Sequence, residues 1–537
     1  MLKRFFSYLN YRLFYIWLLF FSFLSSIMYP ENLLGYSVIS AFIFYYLIYS
    51  ISSSFFSFVI VFVTITLSIY FPVLLNYGSL NSGIIAAFLE TNVRESLEFM
   101  ENITVSDFLL SFLFLLSGVI LLRLKKYNKR SPYNKKKKIL YYVLSFAFVF
   151  SLLFSPTKYY FSGDEDENER RWTLANTPIT IIAFYFKIYE SISDYYLEKK
   201  ELEMASKKTS PWKVISSSPK YKNYVLIIGE SARRDYLSTY GFHLPTTPFL
   251  DSTKGYINSG YISAAPATYH SLLKTLYFKV NKKRDYSYNI INLAKSANFE
   301  TYWISNQGSI GKYDTIASRV GASADFFYFT KKAGFNIGDE DDFVLLSELK
   351  KQLNKNHENE KPRLFVLHLM GSHQRFCDRV KENEKILTFI NEEISCYVNS
   401  ILKTDKFIAS VIDELKSKNE SYSLIYFSDH GLSHENKDQI KEMSLNYNAD
   451  FKSNYEVPFF KLSSDDTQRI IVDTKRSAFN FIYGFSQWLG IHTEELKGDY
   501  HFFSEIDDRK IKVFNFERNV DFDNLKNDVI PVIQGDE

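Results

Sequence analysis

The sequence predicts a two-part protein: an N-terminal membrane domain of five helices, then one large α/β domain with a mainly parallel central sheet. Three observations predict it. Asn32 to Leu89 contain no Asp, Glu, Lys or Arg, 58 uncharged residues in a chain whose charged fraction is 23%. In the C-terminal half, strand-length apolar runs alternate with amphipathic stretches, the pattern of parallel strands buried on both faces and joined by crossover helices. Three of those runs end in carboxylate or imidazole residues, where a parallel sheet presents its ligand site.

The 537 residues carry 63 Lys+Arg against 60 Asp+Glu, a net charge of +3, so nothing points to a nucleic-acid partner. With 46% hydrophobic residues and only 20 Gly and 13 Pro, collagen-like and largely disordered chains are excluded. A membrane helix needs about 20 mainly apolar residues. The uncharged stretch therefore holds two spans, near 33–52 and 55–75, turning at Ile51-Ser52-Ser53-Ser54. Apolar runs near 13–29, 106–123 and 139–156 bring the number to five. No small-residue cleavage site follows the first run, which argues against a signal peptide. Lys3, Arg4 and Arg12 precede the first span, and nine Lys or Arg with no acid lie between Arg123 and Lys138. Both basic segments read as cytoplasmic. Five crossings then place the loop from Tyr77 to Ser106, and everything after Ser155, on the outer side.

The expected domains are 1–157 in the membrane, a linker and bridging segment over 158–221, and an α/β domain over 222–537. The linker opens with the charge run from Gly163 to Arg171 and closes at Ser216-Ser217-Ser218-Pro219. Between them, Trp172 to Lys200 mixes apolar and charged residues, as a helix at the membrane interface or a packing helix of the next domain does. Strands are expected at Tyr224–Ile228, Thr301–Ile304, Leu364–Leu369 and Leu424–Phe427, and crossover helices at Tyr288–Ala297 and Lys406–Leu415. The two cysteines, Cys377 and Cys396, both fall in the half expected to face an oxidising compartment, where they form a disulfide or remain two thiols. Neither has the spacing of a zinc site.

The chemistry collects at the strand ends. Tyr224–Ile228 is followed by Gly229-Glu230-Ser231, Leu364–Leu367 by His368-Leu369-Met370-Gly371-Ser372-His373, and Leu424–Phe427 by Ser428-Asp429-His430-Gly431. Oxygen and nitrogen donors from separate strands suit a divalent metal such as Zn2+ or Mn2+ and can leave one coordination position open for catalysis.

These segments, with Ala232-Arg233-Arg234-Asp235, Tyr240-Gly241-Phe242, Thr246-Thr247-Pro248 and Ser305-Asn306-Gln307, resemble the alkaline-phosphatase/sulfatase superfamily. More narrowly, they resemble the lipopolysaccharide phosphoethanolamine transferases that include the polymyxin-resistance enzymes. The resemblance spans almost the whole chain and implies an alkaline-phosphatase-like (sulfatase) fold for the α/β domain. It implies a Thr nucleophile within Ser263–Ser271, where Thr268 is the matching residue and Ser271 the fallback. The sulfatase pattern C/S-x-P-x-R finds neither its Cys/Ser nor its Arg over Ala264–Thr268, so formylglycine chemistry is disfavoured.

By the same resemblance, Glu230, Thr268, Asp429 and His430 form a metal shell, for Zn2+ in the first place and Mn2+ otherwise. A metal-bound Thr hydroxyl would be ionised near neutral pH. His368 and His373 are expected in phosphate contacts and proton transfer. Asn306 and His373 are expected to contact substrate, and so are Thr91 and Glu95 in the outer loop, from the match to Glu90-Thr91-Asn92-x-x-Glu95. Three departures from the family stand out. Ala264-Ala265-Pro266 replaces a Cys-Gly-Thr, Ser305 replaces an Asp of some relatives, and no His occurs over Met443–Tyr447, leaving His434 as the nearest substitute ligand of a second ion.

The implied enzyme is a monomer of the bacterial inner membrane with its catalytic domain in the periplasm. It would take phosphoethanolamine from phosphatidylethanolamine, release diacylglycerol, and pass the group through Thr268 to lipopolysaccharide (lipid A, core sugar or another envelope glycan). The alternatives are a phosphoglycerol transferase or phosphodiesterase of the same fold, and a metal-free envelope scaffold.

Overall fold

The computed structural model describes residues 2–27, 34–77, 85, 105–127, 135–162, 172–205, 210–280, 283–308, 315–331, 341–355, 360–437, 439–515 and 519–531. The chain divides into two compact units, Met1–Tyr195 and Tyr196–Glu537.

Among the described residues the first unit opens with five long helices: α1 (Leu2–Ile27), α2 (Leu34–Ile51), α3 (Ser53–Tyr77), α4 (Val105–Tyr127) and α5 (Lys135–Ser162). Four of them, α2 to α5, are long and apolar enough to cross a membrane, while α1 supplies a shorter apolar stretch, Arg12–Ile27. Thr91 and Glu95 lie outside the described residues. The core of the unit is formed by Phe14, Leu18, Phe21, Tyr45, Phe56, Ile60, Phe114 and Leu121.

Lipid provides no hydrophobic drive between helices, so close approach and polar contacts must hold them. The Trp17 indole donates to the Ser117 carbonyl at 2.9 Å between α1 and α4, and the Ser40 and Ser151 hydroxyls meet at 2.8 Å between α2 and α5. A Cβ on Gly118 would collide with Thr64 Oγ1, so only glycine lets α3 and α4 come this close. Phe108, Leu109, Phe112, Ile139 and Phe146 face outward, as lipid-facing residues do.

A sixth helix, α6 (Thr180–Ala205), carries the expected bridging segment. Ile179, Ile181 and Phe184 join the core of the membrane unit, and the Tyr185 hydroxyl meets Thr66 Oγ1 at 2.5 Å. The beginning of that helix is therefore packed as part of the membrane unit.

In the second unit the strands of the main sheet are β1 (Asn223–Gly229), β2 (Gly255–Asn258), β3 (Glu300–Gly308), β4 (Phe326–Lys331), β5 (Arg363–His368), β6 (Tyr422–Ser428), β7 (Phe459–Ser463) and β8 (Arg469–Val472). They lie in the order β8-β2-β7-β6-β1-β5-β3-β4. Every neighbouring pair is parallel except those made by β7, which runs antiparallel to both β6 and β2. The central strands β1, β5 and β6 are buried along their whole length, which is why they read as continuous apolar runs.

The period-two alternation of a strand sorts β1 between two cores. Tyr224, Leu226 and Ile228 face one that includes Trp303 and Leu272 and Leu273 of α7 (Thr268–Thr275). Val225 and Ile227 face the other, with Phe407, Ile408 and Val411 of α8 (Glu392–Ser417). A third cluster, containing Tyr236, Phe376, Tyr397 and Leu432, packs the loops that follow β1 and β6. Beside it the two cysteines form the Cys377–Cys396 disulfide, S–S 2.11 Å.

Candidate active site

Strand register alone brings the first two acids together. β1 and β6 are parallel neighbours with Ile228 opposite Phe427 and Gly229 opposite Ser428. The next residues, Glu230 and Asp429, must emerge side by side at the carboxyl end of the sheet. His430 follows directly, and the three residues offer ligand atoms that all lie within 4.8 Å of one another. All three are buried. Thr268 arrives from a different element, the first residue of α7, and remains half-buried. Its hydroxyl donates to Glu230 Oε2 at 3.1 Å and lies 3.3 Å from His430 Nε2. The same Nε2 is 3.2 Å from Glu230 Oε1 and 3.6 Å from Asp429 Oδ2. Glu230, Thr268, Asp429 and His430, expected together from the sequence, are brought together here.

Electrostatics and hydrogen bonding both fit a cation at this place. Burial and the charge of Glu230 push the Asp429 carboxyl up to about 7. Burial opposes a charge on His430, yet Asp429 and the hydrogen bond with Glu230 raise its ring to about 9. Burial also opposes ionisation of Glu230, but His430 outweighs it and holds that carboxyl well below its usual range. The trio is thus short of positive charge. His430 Nδ1 donates to the Gly431 carbonyl at 2.8 Å, the arrangement that turns the other ring nitrogen toward a metal. Among the described residues, no hydrogen bond reaches the buried Asp429 Oδ2. A divalent metal is the group that this donor set accommodates.

Neighbouring groups hold the acids in place. The Ser231 hydroxyl donates to Glu230 Oε1 at 2.7 Å, and Gln307 Nε2 donates to Glu230 Oε2 at 3.1 Å and to the Leu369 carbonyl at 2.9 Å. Ser231 N and His430 N both donate to Asp429 Oδ1, at 3.2 and 2.7 Å. Gly371 has a φ of +48°, and a Cβ there would meet Glu230 N at 3.0 Å and Glu230 O at 3.1 Å.

Other expected residues take different places. The hydroxyl of Ser271, the fallback nucleophile of the sequence reading, is buried and donates to the Asp429 carbonyl at 2.5 Å, so it braces the site. Asn306 turns to the opposite face of β3 from Gln307, where it donates to Asp342 Oδ1 at 2.7 Å and accepts from Thr330 at 3.0 Å. It is Gln307 that reaches the Glu230 carboxylate. Strand parity with Trp303 and Ser305 is the signal that would have singled it out.

His368 is fully buried, with Nδ1 3.2 Å from Ser305 Oγ and, among the described residues, no hydrogen-bond partner for Nε2. Burial pushes its ring down to about 4, so it is neutral. His373 is half-buried beside its own Gln374 carbonyl, and burial lowers its ring against the pull of Glu230.

His434 is not available as the ligand of a second ion. Its Nδ1 lies 3.0 Å from Asp528 Oδ2, its Nε2 is 2.6 Å from the Tyr236 hydroxyl, and it belongs to a buried clamp. Within that clamp Arg233 donates to Asp528 Oδ2 at 2.6 Å and to the Asp528 carbonyl at 2.9 Å, with both side chains fully buried. Burial alone would raise the Asp528 carboxyl, but His434 and Arg233 hold it well below the usual carboxylate range. Sequence reasoning missed this clamp because its acid lies 94 residues from His434.

Residues 222–491 match the Sulfatase family model. Phosphoethanolamine transferase OpgE of Escherichia coli (strain K12) is 34% identical over 468 residues, covering 86% of this chain and 85% of the relative. Phosphoethanolamine transferase EptC of the same strain is 24% identical over 454 residues, 77% of this chain and 76% of the relative. The solved integral membrane protein lipooligosaccharide phosphoethanolamine transferase A (EptA) from Neisseria meningitidis is 16% identical. It superposes with a TM-score of 0.53, covering 89% of this chain and 95% of that one, and so shares the fold. A sulfatase-type domain joined to apolar N-terminal helices, with this extent of likeness to OpgE, places the chain in the phosphoethanolamine transferase family. It is a multi-pass transferase of the inner membrane with its catalytic domain in the periplasm.

Two substitutions test the frame of the site. Gly371→Ala should press on the Glu230 backbone and cost about 1–3 kcal/mol of stability, with a matching loss of bound metal. Unchanged unfolding and metal content would show that the turn has room to spare. Asp528→Asn should cost about 1.5–3 kcal/mol, because Arg233 loses its charged acceptor on the fully buried side and keeps only the pair with Asp235, 2.6 Å from Nη2. The carboxyl titrates lower in the folded protein than unfolded. Its contribution is therefore complete at neutral pH and is lost as pH falls below about 4. Thermal unfolding of both proteins across pH reads this directly: their midpoints should converge in acid.

Proposed function

We propose that this enzyme moves phosphoethanolamine from phosphatidylethanolamine to a hydroxyl of an envelope glycan or glycolipid, lipopolysaccharide being the acceptor class, and releases diacylglycerol. The observation that carries this reading is the half-buried Thr268 hydroxyl, hydrogen-bonded to Glu230 and next to His430 at the carboxyl end of a parallel sheet. The names of OpgE and EptC supply the transferred group.

Glu230, Asp429 and His430, with Thr268, would hold the divalent cation, Zn2+ by its preference for this N/O donor set, which when bound lowers the pKa of an alcohol and offsets phosphoryl charge. Thr268 Oγ1 then forms a bond to phosphorus as the bond to the diacylglycerol oxygen breaks. Its proton leaves along the hydrogen bond to Glu230. His373, neutral because burial lowers its ring, relays that proton to the departing diacylglycerol oxygen and afterwards takes the proton of the acceptor hydroxyl and returns it to Thr268 as the acceptor oxygen displaces it. The cap position of α7 is Ala267, whose side chain makes no hydrogen bond to the first turn. The N–H groups of that first turn would then be left for the oxygens of a phosphoryl group carried on Thr268.

Purified full-length protein incubated with vesicles of phosphatidylethanolamine should release diacylglycerol, and vesicles of phosphatidylglycerol should release little. Thr268→Ala should abolish release while unfolding within about 0.5 kcal/mol of the parent, as expected of a half-exposed hydroxyl. Mass spectrometry of envelope glycolipids from cells with and without the protein should find an increment of one phosphoethanolamine and its position. Turnover by the alanine variant, or preference for phosphatidylglycerol, would overturn the proposal.

A further inference from the structure

Ser231 stands between the two acids and touches both. Its hydroxyl donates to Glu230 Oε1 at 2.7 Å and its backbone N–H donates to Asp429 Oδ1 at 3.2 Å. One residue reaches both ways because the chain turns there into the left-handed region, with φ 56°. A residue with a Cβ enters that region at a cost and stays only where its surroundings hold it. Here Tyr397 holds it. The Tyr397 hydroxyl donates to the Ser231 carbonyl at 2.9 Å and accepts from Arg233 N at 2.8 Å, pinning the backbone on both sides of Ala232.

Tyr397 has no freedom to swing away. It is fully buried, with Tyr236 and Phe376 edge-on at centroid distances of 5.2 and 5.0 Å, and its neighbour Cys396 is bonded to Cys377. A rigid path therefore runs from α8 through one phenol and one strained serine to two carboxylates. Left to themselves, two buried like charges would turn apart.

We propose that Ser231, locked by Tyr397, is the positioning residue of the metal centre: it ties down one oxygen of Glu230 and one of Asp429 and so sets how the pair meets a divalent cation. This rests on Glu230, Asp429 and His430 being the metal ligands. Groups that orient metal ligands typically contribute about 10–100-fold to affinity or activity.

The test uses full-length protein in detergent, stripped of metal and titrated with Zn2+ against a competing chelator, with Glu230→Gln as the reference that removes a ligand. Ser231→Ala, Ser231→Gly and Tyr397→Phe should each weaken Zn2+ binding by about 10–100-fold. Unfolding of the stripped protein should shift far less than this loss of affinity, and kcat should fall with KM for the donor lipid little changed. Glycine adopts the same φ without strain, so weakened binding in that variant assigns the effect to the hydroxyl. Tyr397→Phe keeps the packed ring and removes one oxygen, which preserves the test should a Ser231 variant misfold. Zn2+ affinity within twofold of the parent in the Ser231 and Tyr397 variants, with Glu230→Gln losing it, would overturn the positioning role and leave the metal site standing. Retention of affinity by Glu230→Gln as well would overturn both.

Discussion

Two carboxylates held side by side away from water form the constraint on which the catalytic unit depends. Glu230 and Asp429 follow paired residues of two parallel strands, so the register that builds the sheet also forces the acids together. Like charges in a buried site are costly unless an opposite charge or several donors meet them. The surroundings supply both kinds of relief: an imidazole against the pair, and N–H and O–H donors from Ser231, Gln307, Thr268 and the His430 backbone. The excess negative charge that remains is what makes the place a cation site. The same excess gives Thr268 its meaning, because an alcohol becomes a nucleophile where its anion is stabilised.

The loops that carry this chemistry would be loose without a second layer. Arg233 and Asp528 form a fully buried pair that also engages His434, so the segment after β1, the segment after β6 and residues near the C-terminus are tied at one point. Such a pair is expensive to desolvate, and its worth lies in specifying one arrangement of three chain segments. Tyr397 and the Cys377–Cys396 bond reinforce the same region from α8. The rigid scaffold therefore extends beyond the sheet into the loops, which a site made of strand ends requires.

The membrane unit answers to a different solvent. Its helices are apolar almost all round, and their specificity comes from small or hydroxyl-bearing contacts such as Gly118 against Thr64 and Ser40 against Ser151. Where water is absent, surface polarity cannot dictate which face packs, so steric fit and a few hydrogen bonds decide it.

What could be read from the residues in order was whatever leaves a local mark. Charge-free runs mark membrane helices because ions are excluded from lipid, and uninterrupted apolar runs mark the central strands because both of their faces are covered. Residues directly after those strands announced a metal-binding site: Glu230, Asp429 and His430 were legible in this way, and Thr268 through the resemblance to the transferase family. Ser231, Gln307, Tyr397 and the Arg233–Asp528 pair were not, since a serine, an amide, a phenol or an ion pair has no local signature of its task. Asn306 and Gln307 show the limit well: they are neighbours in the chain, and the face of one strand decides which of them meets the acid. The sequence by itself determined the two kinds of domain and the residues that carry charge to the strand ends. Only the tertiary structure decided which distant groups neutralise, orient and confine those charges, because a hydrogen bond depends on separation in space, and separation along the chain does not set it.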